Sequence, residues 1–284
     1  MSHAERLFIL QYGAERVSKN LSLAGGPHHL YWEPLLGYLI ETAKGWVLLD
    51  TGMSRNAHLS TPNRDAYVTG GVGAPNIYTP WHLRPTPPDE SGWNWVLDGN
   101  PLAAALSTVG LKPDDIALAA ISHMHVDHSG GIPTLSDAGV PIAIQRAELD
   151  FVQSGRVGIS EGFFDEDWAH PATEWRILDG DTEIAPGVVA VSTPGHTPGH
   201  QSFSVSLRET GTWIFGCDAT DLAQNFLDNV PCGSCAGNTP EDERNAADSL
   251  SKLLDLGRRD GHRLIPGHDQ VIANAIAHPP GGHR

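Results

Sequence analysis

Histidine and aspartate are concentrated between Ser122 and His128, where the chain reads Ser-His-Met-His-Val-Asp-His. At a strand end, the side chains of His123 and His125 point the same way because the side-chain period is two, while Asp127 and His128 turn to a neighbouring position. Three imidazoles and one carboxylate this close together are typical transition-metal ligands. Two glycines follow at 130 and 131 and let the backbone fold tightly. The segment therefore predicts a metal site.

Further histidines and aspartates follow predicted strands. Glycines stand near them, and a glycine lets neighbouring segments of backbone approach each other closely. The segment 193–200 reads Thr-Pro-Gly-His-Thr-Pro-Gly-His, 215–218 reads Phe-Gly-Cys-Asp, and 264–269 reads Leu-Ile-Pro-Gly-His-Asp. An earlier segment, 49–52, reads Leu-Asp-Thr-Gly. These segments offer the additional ligands that a site for two metal ions requires.

The elements that must position these residues are mostly short strands, recognised as apolar runs bounded by glycine and polar residues. A Pro near the start and a Gly at the end mark the first helix, and Thr239 is the predicted cap of the last. The pattern favours one domain, 1–284, of two layered sheets with irregular excursions at about 53–100 and 154–174. Strands are predicted at 7–12, 36–41, 45–52, 116–121, 187–193, 201–207, 212–217 and 264–266. Helices are predicted at 101–110, 146–153 and 240–256.

The composition excludes several classes of protein. The chain has 284 residues, with 18 Lys and Arg against 34 Asp and Glu, and a formal charge of -16 that would repel a nucleic-acid backbone. Three cysteines do not make a disulfide scaffold. No apolar run approaches the ~18 residues of a membrane span, and the first residues lack the features of a signal peptide. We therefore expect a cytoplasmic protein without nucleic-acid or membrane partners, acting on a small molecule, as a monomer or a homodimer.

The order of these motifs resembles that of the metallo-β-lactamase superfamily, and the resemblance covers nearly the whole chain. It implies an α+β fold of the αββα sandwich type. It also implies two Zn²⁺ ions, or other divalent transition metals, in each chain. Carried over position by position, it assigns His123, His125 and His196 to one ion, assigns Asp127, His128 and His268 to the other, and makes Asp218 the bridge. Asp50 and His200 would then hold ligands in place without touching an ion.

Two metal ions about 3.5–4 Å apart imply a hydrolase. A bridging hydroxide would attack a carbonyl carbon, while a metal ion stabilises the developing oxyanion. Asp127 would be the catalytic residue, because it could orient the hydroxide and later deliver a proton to the leaving oxygen. No Gly-x-Ser-x-Gly motif of a serine hydrolase occurs in the chain.

Within the superfamily, the pattern is most similar to that of N-acyl-homoserine lactonases. The similar features are the Tyr-Leu-Ile-Glu strand at 38–41, the Leu-Asp-Gly-Asp segment at 178–181, and Asn225-Phe226. This resemblance implies opening of a lactone ring, the reaction of quorum quenching. One position departs from the family, because Asp221 stands where those lactonases carry a Tyr that donates a hydrogen bond to the substrate. A carboxylate accepts hydrogen bonds and does not donate them, so another donor or another substrate is expected.

The two irregular excursions are expected to wall the substrate pocket. Their aromatic side chains suit an acyl-chain channel, because small-molecule sites are largely apolar. The candidates are Trp81, Trp93, Trp95, Phe163, Phe164 and Trp168.

Other functions remain as alternatives. A thioester hydrolase of the glyoxalase II kind, or another small-ester hydrolase, would use the same ligands, although the chain lacks an added basic C-terminal region. A β-lactamase is disfavoured because no signal peptide is found, and a structural zinc site usually contains Cys ligands. Cys232 and Cys235 have the spacing of a redox motif but no surrounding βαβ pattern, which favours a loop with two thiols.

Overall fold

Two β-sheets form the centre of the computed structural model, which describes residues 2–54, 56–57 and 94–284, with only the backbone described at 94 and 95. The first sheet has the order β4-β1-β2-β3-β5-β6-β7 and the second the order β12-β11-β10-β9-β8 within these residues. The strands of the first sheet are β1 (Arg6–Ser18), β2 (Leu30–Thr42), β3 (Gly45–Leu49), β4 (Asn94–Val96), β5 (Ile116–Ala120), β6 (Ile142–Gln145) and β7 (Trp175–Leu178). Those of the second are β8 (Thr182–Ala185), β9 (Val188–Ser192), β10 (Gln201–Leu207), β11 (Gly211–Phe215) and β12 (His262–Ile265).

Short helices connect these strands, and α8 is the longest of those described. The described helices are α1 (Lys19–Ser22), α2 (Pro101–Ser107), α3 (Val126–Ser129), α4 (Ile132–Asp137), α5 (Arg146–Gln153), α6 (Asp165–Trp168), α7 (Ala223–Asp228), α8 (Pro240–Gly257) and α9 (Gln270–Ala275). None of them has both the length and the apolar character that crossing a membrane requires.

The sheets pack face to face and are covered by helices on their outer faces. Tyr38 of β2 stacks on Phe215 of β11 between the sheets, with ring centroids 3.7 Å apart. Leu102 of α2 and Leu135 of α4 belong to the apolar cluster on the outer face of the first sheet. Leu253 of α8 packs against the outer face of the second. Helix, sheet, sheet and helix are therefore stacked in the αββα order that the resemblance implied.

The local patterns were informative about most of these elements. The 146–153 helix and the 201–207 strand have the predicted bounds, and Thr239 caps α8 by accepting a hydrogen bond from the amide of Asp242. A helix that was not predicted follows the strand predicted at 264–266, because the Asp269 carboxylate accepts from two amides and starts α9. Strands β6, β7 and β8 were not predicted, since each spans only four residues.

The turns that follow the strands are held by close backbone contacts. Strand β3 runs parallel to β5, so both deliver their carboxyl ends to the same edge of the sheet. Asp50 follows β3 with φ 56°, in the left-handed region that Asp tolerates better than most residues. Gly130 leaves room for this turn, because a Cβ there would lie 2.1 Å from the Ser54 amide nitrogen. The predicted glycine pair thus lets the chain after the histidine motif pack against the turn after β3.

Candidate metal centre

Seven His and Asp side chains from four parts of the chain come together at one end of the sandwich. They follow β5, β9, β11 and β12, and three of them come from the segment 125–128 at the start of α3. They form two groups, and within each group the ligand atoms all lie within 4.8 Å of one another. One group is His123, His125, His196 and Asp218, and the other is Asp127, His128, His268 and Asp218. The structure therefore brings together every side chain predicted to be a metal ligand.

Asp218 is common to both groups and presents one oxygen to each. Its Oδ2 lies 3.3 Å from His196 Nε2 and 3.6 Å from His123 Nε2. Its Oδ1 lies 3.0 Å from the Nε2 atoms of both His128 and His268. This is the arrangement that a carboxylate bridging two cations requires.

The spacing and chemistry of these atoms fit divalent transition metals. His125 Nδ1 lies 2.9 Å from the Nε2 atoms of both His123 and His196, and His128 Nε2 lies 3.1 Å from His268 Nε2. Tetrahedral ligands at the usual Zn–N distance would be separated by about 3.3 Å, which is close to these values. Imidazole nitrogens and carboxylates are also the donors that zinc and its neighbours prefer.

Outer hydrogen bonds turn the imidazoles of His128, His196 and His268 so that their Nε2 atoms face the centre. His128 Nδ1 lies 3.0 Å from Asp50 Oδ2, and the Nδ1 atoms of His268 and His196 each lie 3.1 Å from the carbonyl oxygens of Pro34 and Ser234. Each of these oxygens accepts the Nδ1 proton and leaves the Nε2 lone pair free for a metal ion.

Asp50 and His200, the two residues predicted to support the ligands, form hydrogen bonds to ligand residues from outside the centre. Asp50 holds His128 with one oxygen and accepts a hydrogen bond from the Ser122 amide with the other, at 2.6 Å. His200 Nε2 accepts from the backbone amide of Asp218 at 3.2 Å, and its Nδ1 lies 3.1 Å from the Thr193 carbonyl oxygen. His200 therefore supports the bridging Asp218 through its backbone.

Glu148 is a supporting residue that sequence reasoning missed. It lies on α5, is fully buried, and accepts hydrogen bonds from the Met124 amide at 2.9 Å, the Thr197 hydroxyl at 2.6 Å and the Gly199 amide at 3.1 Å. One carboxyl group thus joins the loop of His123 and His125 to the loop of His196. Burial raises its pKa to about 7, although these three hydrogen bonds act to lower the pKa. The only sequence signal was an acidic residue on the buried face of a short helix.

Burial and neighbouring charges set the protonation states of His125 and Asp218. Burial, assisted by the neighbouring His196, lowers the pKa of His125 to about 3, so His125 is a neutral imidazole. Burial acts to raise the pKa of Asp218, but His128 and His268 outweigh it and hold that pKa well below its usual value. The bridging carboxyl is therefore ionised.

A cavity of about 210 Å³ opens above this centre. Its wall includes His125, Asp127, Asp218, Asp221 and Glu33. Glu33 is buried, and it accepts a hydrogen bond from the Ser22 hydroxyl at 2.5 Å. The ligand atoms can therefore be reached by a small molecule.

Asp221 lies on the cavity wall with 4% of its surface exposed, and its Oδ1 makes no hydrogen bond to any described residue. Burial, followed by the charges of Asp218 and Glu33, raises its pKa well above the usual value. A raised pKa favours the protonated form, and a protonated Asp221 could donate a hydrogen bond, which the carboxylate expected from the sequence could not.

The predicted aromatic wall differs from the observed one. Phe163 and Phe164 are 1% and 5% exposed and belong to the core, where Phe163 packs against His125 with ring centroids 4.4 Å apart. Trp168 is half-buried against the same core. None of the three lines the cavity. Residues 160–162, from the same excursion at 154–174, line it instead. Trp81 and Trp93 lie outside the described residues, and only the backbone of Trp95 is described.

Known proteins share this sequence pattern and this fold. The family model described as the metallo-beta-lactamase superfamily matches residues 31–268. An N-acyl homoserine lactonase of Bacillus cereus is 30% identical over 256 residues, which are 90% of this chain and 88% of that protein. The structure of a quorum-quenching N-acyl homoserine lactone hydrolase superposes with a TM-score of 0.77 at 25% identity, covering 100% of both chains. An N-acyl homoserine lactone hydrolase with N-hexanoyl-L-homoserine at its catalytic metal centre gives a TM-score of 0.75 at 25% identity, covering 99% and 100%.

Proposed function

Because this chain belongs to the metallo-β-lactamase superfamily, we propose that it is a metal-dependent hydrolase that opens the ring of N-acyl homoserine lactones or closely related lactones. The observation that carries the proposal is the pair of ligand groups that share Asp218 at the base of an open cavity. The relatives support the substrate class, since they are lactonases and are matched over most of their length.

The seven clustered side chains would hold two divalent ions, for which we propose Zn²⁺. His123, His125 and His196 would bind one and Asp127, His128 and His268 the other, with Asp218 shared. Two such ions lower the pKa of water towards neutrality and polarise the oxygen of an ester carbonyl.

Asp127 is the residue to which we assign proton transfer. It is 6% exposed, lines the cavity, and places Oδ2 2.9 Å from His128 Nε2. His128 and His268 keep its pKa low although burial acts to raise it, so the ionised group can accept a proton. Ring opening leaves an alkoxide oxygen that needs a proton, and a carboxyl group at the cavity floor can return one.

Asp221 and its neighbours would fix the orientation of the substrate. Its Oδ1 lacks a protein partner at the cavity wall, and a substrate carbonyl or amide can supply one. A protonated Asp221 would donate to a carbonyl oxygen, as the family Tyr does in the resemblance described above. Residues 160–162 and 234–236 complete the walls.

The test is hydrolysis of a lactone, a thioester and a β-lactam by the zinc-loaded protein, followed through the proton that each reaction releases. We expect turnover of N-hexanoyl homoserine lactone and loss of that turnover in Asp127→Asn and after chelation. Turnover of a glutathione thioester without lactone turnover would instead identify the thioester hydrolase. Absence of bound metal after mild purification in zinc would refute both.

A further inference from the structure

Two thiols lie in the loop 232–235, which reads Cys-Gly-Ser-Cys and borders the cavity. Cys235 is half-buried and lines the cavity, whereas Cys232 is 3% exposed. Both thiols are free, and only Gly233 and Ser234 separate them along the chain. A disulfide between them would bring the two sulfur atoms to an S–S bond length of about 2.05 Å.

The same loop supports the metal ligand His196. The carbonyl oxygen of Ser234, which lies between the two cysteines, accepts from His196 Nδ1 at 3.1 Å, and the Ala236 amide donates to the His196 carbonyl at 2.7 Å. The Cys232 thiol donates to that same Ser234 carbonyl at 3.5 Å. The Cys232 thiol and the His196 imidazole therefore share one backbone oxygen, that of Ser234.

A disulfide would change this support. An S–S bond removes the thiol proton that Cys232 donates to Ser234 and draws Cys235 towards Cys232. The Gly233 amide is held by the Leu21 carbonyl at 2.8 Å, and a Cβ on Gly233 would lie 1.8 Å from the Asn20 carbonyl oxygen. Because Gly233 is fixed on that side, the displacement falls mainly on Ser234.

The two thiols are suited to different steps. Cys235 faces the cavity, and its interaction with the neighbouring Cys232 thiol lowers its pKa although burial acts to raise it, which favours the attacking thiolate. The interaction with Cys235 and burial raise the pKa of Cys232. The accessible thiol is thus the first nucleophile and the buried one its partner.

We propose that Cys235 and Cys232 form an exchange site for small-molecule disulfides, and that its oxidation weakens the support of His196. The Cys235 thiolate attacks one sulfur of a disulfide RSSR, the S–S bond breaks, and RS⁻ leaves and takes up the proton that Cys235 lost. The Cys232 thiolate then attacks Cys235 of the mixed disulfide and expels the second RS⁻, which takes the Cys232 proton. Two cysteine thiols are oxidised and one RSSR is reduced to two RSH.

The experiment treats the zinc-loaded protein with 2-hydroxyethyl disulfide and measures its mass without reducing agent. We expect the protein to lose the mass of two hydrogen atoms, with the new bond mapping to a peptide that joins Cys232 to Cys235. Cys232→Ser should instead keep one mercaptoethanol adduct on Cys235, and Cys235→Ser should not react. Cys217, which is 1% exposed, is the internal control for unfolding.

The second measurement is zinc release to a chelator, before and after oxidation. Loss of an outer partner of a metal-binding His typically costs about 10–100-fold in metal affinity, so zinc retention should fall by ~10-fold or more and recover after reduction. Cys235→Ser, treated in the same way, should retain zinc as the untreated protein does. Oxidation of Cys217 at the same rate, absence of the Cys232→Ser adduct, or unchanged zinc retention in the oxidised protein would each overturn the proposal. None of these readouts uses a lactone, so they are independent of the proposed function.

Discussion

Asp50→Asn is the substitution that tests most directly whether hydrogen bonds outside the metal centre define its ligands. Asp50 accepts from the Ser122 amide at 2.6 Å and from His128 Nδ1 at 3.0 Å. Asn has the same shape and also tolerates the left-handed backbone found here at φ 56°. The fold should therefore persist.

The hydrogen bonds to Ser122 and His128 should change, because the Asn side chain has one acceptor oxygen where the Asp50 carboxylate has two. If that oxygen stays on the Ser122 amide, the Asn NH₂ group faces His128 Nδ1. The imidazole then accepts at Nδ1 and carries its proton on Nε2, which is the atom that faces His268 and Asp218. A protonated Nε2 cannot bind a metal ion.

We expect Asp50→Asn to lower the affinity for one of the two ions by about 10–100-fold, which corresponds to about 1.4–2.7 kcal/mol. The assay is a zinc titration against a competing chelator, with elemental analysis of the dialysed protein. The melting temperature of the metal-free protein should change little, and Asp255→Asn on the exposed face of α8 is the matched control. Two ions bound with unchanged affinity in Asp50→Asn would refute the assignment of His128 as a ligand oriented by Asp50.

Four further predictions concern catalysis, stability and metal content. Asp127→Asn should lower kcat for lactone hydrolysis by ~100-fold or more with an unchanged circular dichroism spectrum, and an unchanged kcat would remove Asp127 from proton transfer. Asp221→Ala should raise KM by about 3–10-fold, the effect of one lost hydrogen bond, and an unaltered KM would exclude substrate contact. Burial raises the pKa of Asp167 from 3.8 to about 8, so between these values the folded chain keeps a proton that the unfolded chain releases. The free energy of unfolding should thus fall as pH rises from 4 to 8, and urea titrations of Asp167→Asn should show a smaller fall. Chelation should abolish lactone turnover, and elemental analysis after zinc is restored should return about two ions per chain.

The position of Glu148 shows why part of this site could not be read from the sequence. Its three donors come from residues 24 to 51 positions away along the chain, and only the packing of α5 under the ligand loops brings them together. Asp221 is similar, because its pKa is raised by burial and by the charges of Asp218, which follows β11, and Glu33, which lies within β2. Phe163 and Phe164 were predicted to face the substrate but are buried, because Phe163 pairs with His125 far away in the sequence, which no local pattern records.

From the sequence one can predict which residues form the two candidate ligand groups and which strands they follow. Histidine and aspartate near glycine at strand ends are a local pattern, and apolar patterning locates most strands and the long helix, although β1 and β2 are longer than predicted. The fold is needed to show how the two groups share Asp218, which carboxyl groups are buried, and that the Ser234 carbonyl connects Cys232 to His196. Such features depend on distances between segments far apart in sequence, and burial then sets their protonation, so no local pattern records them.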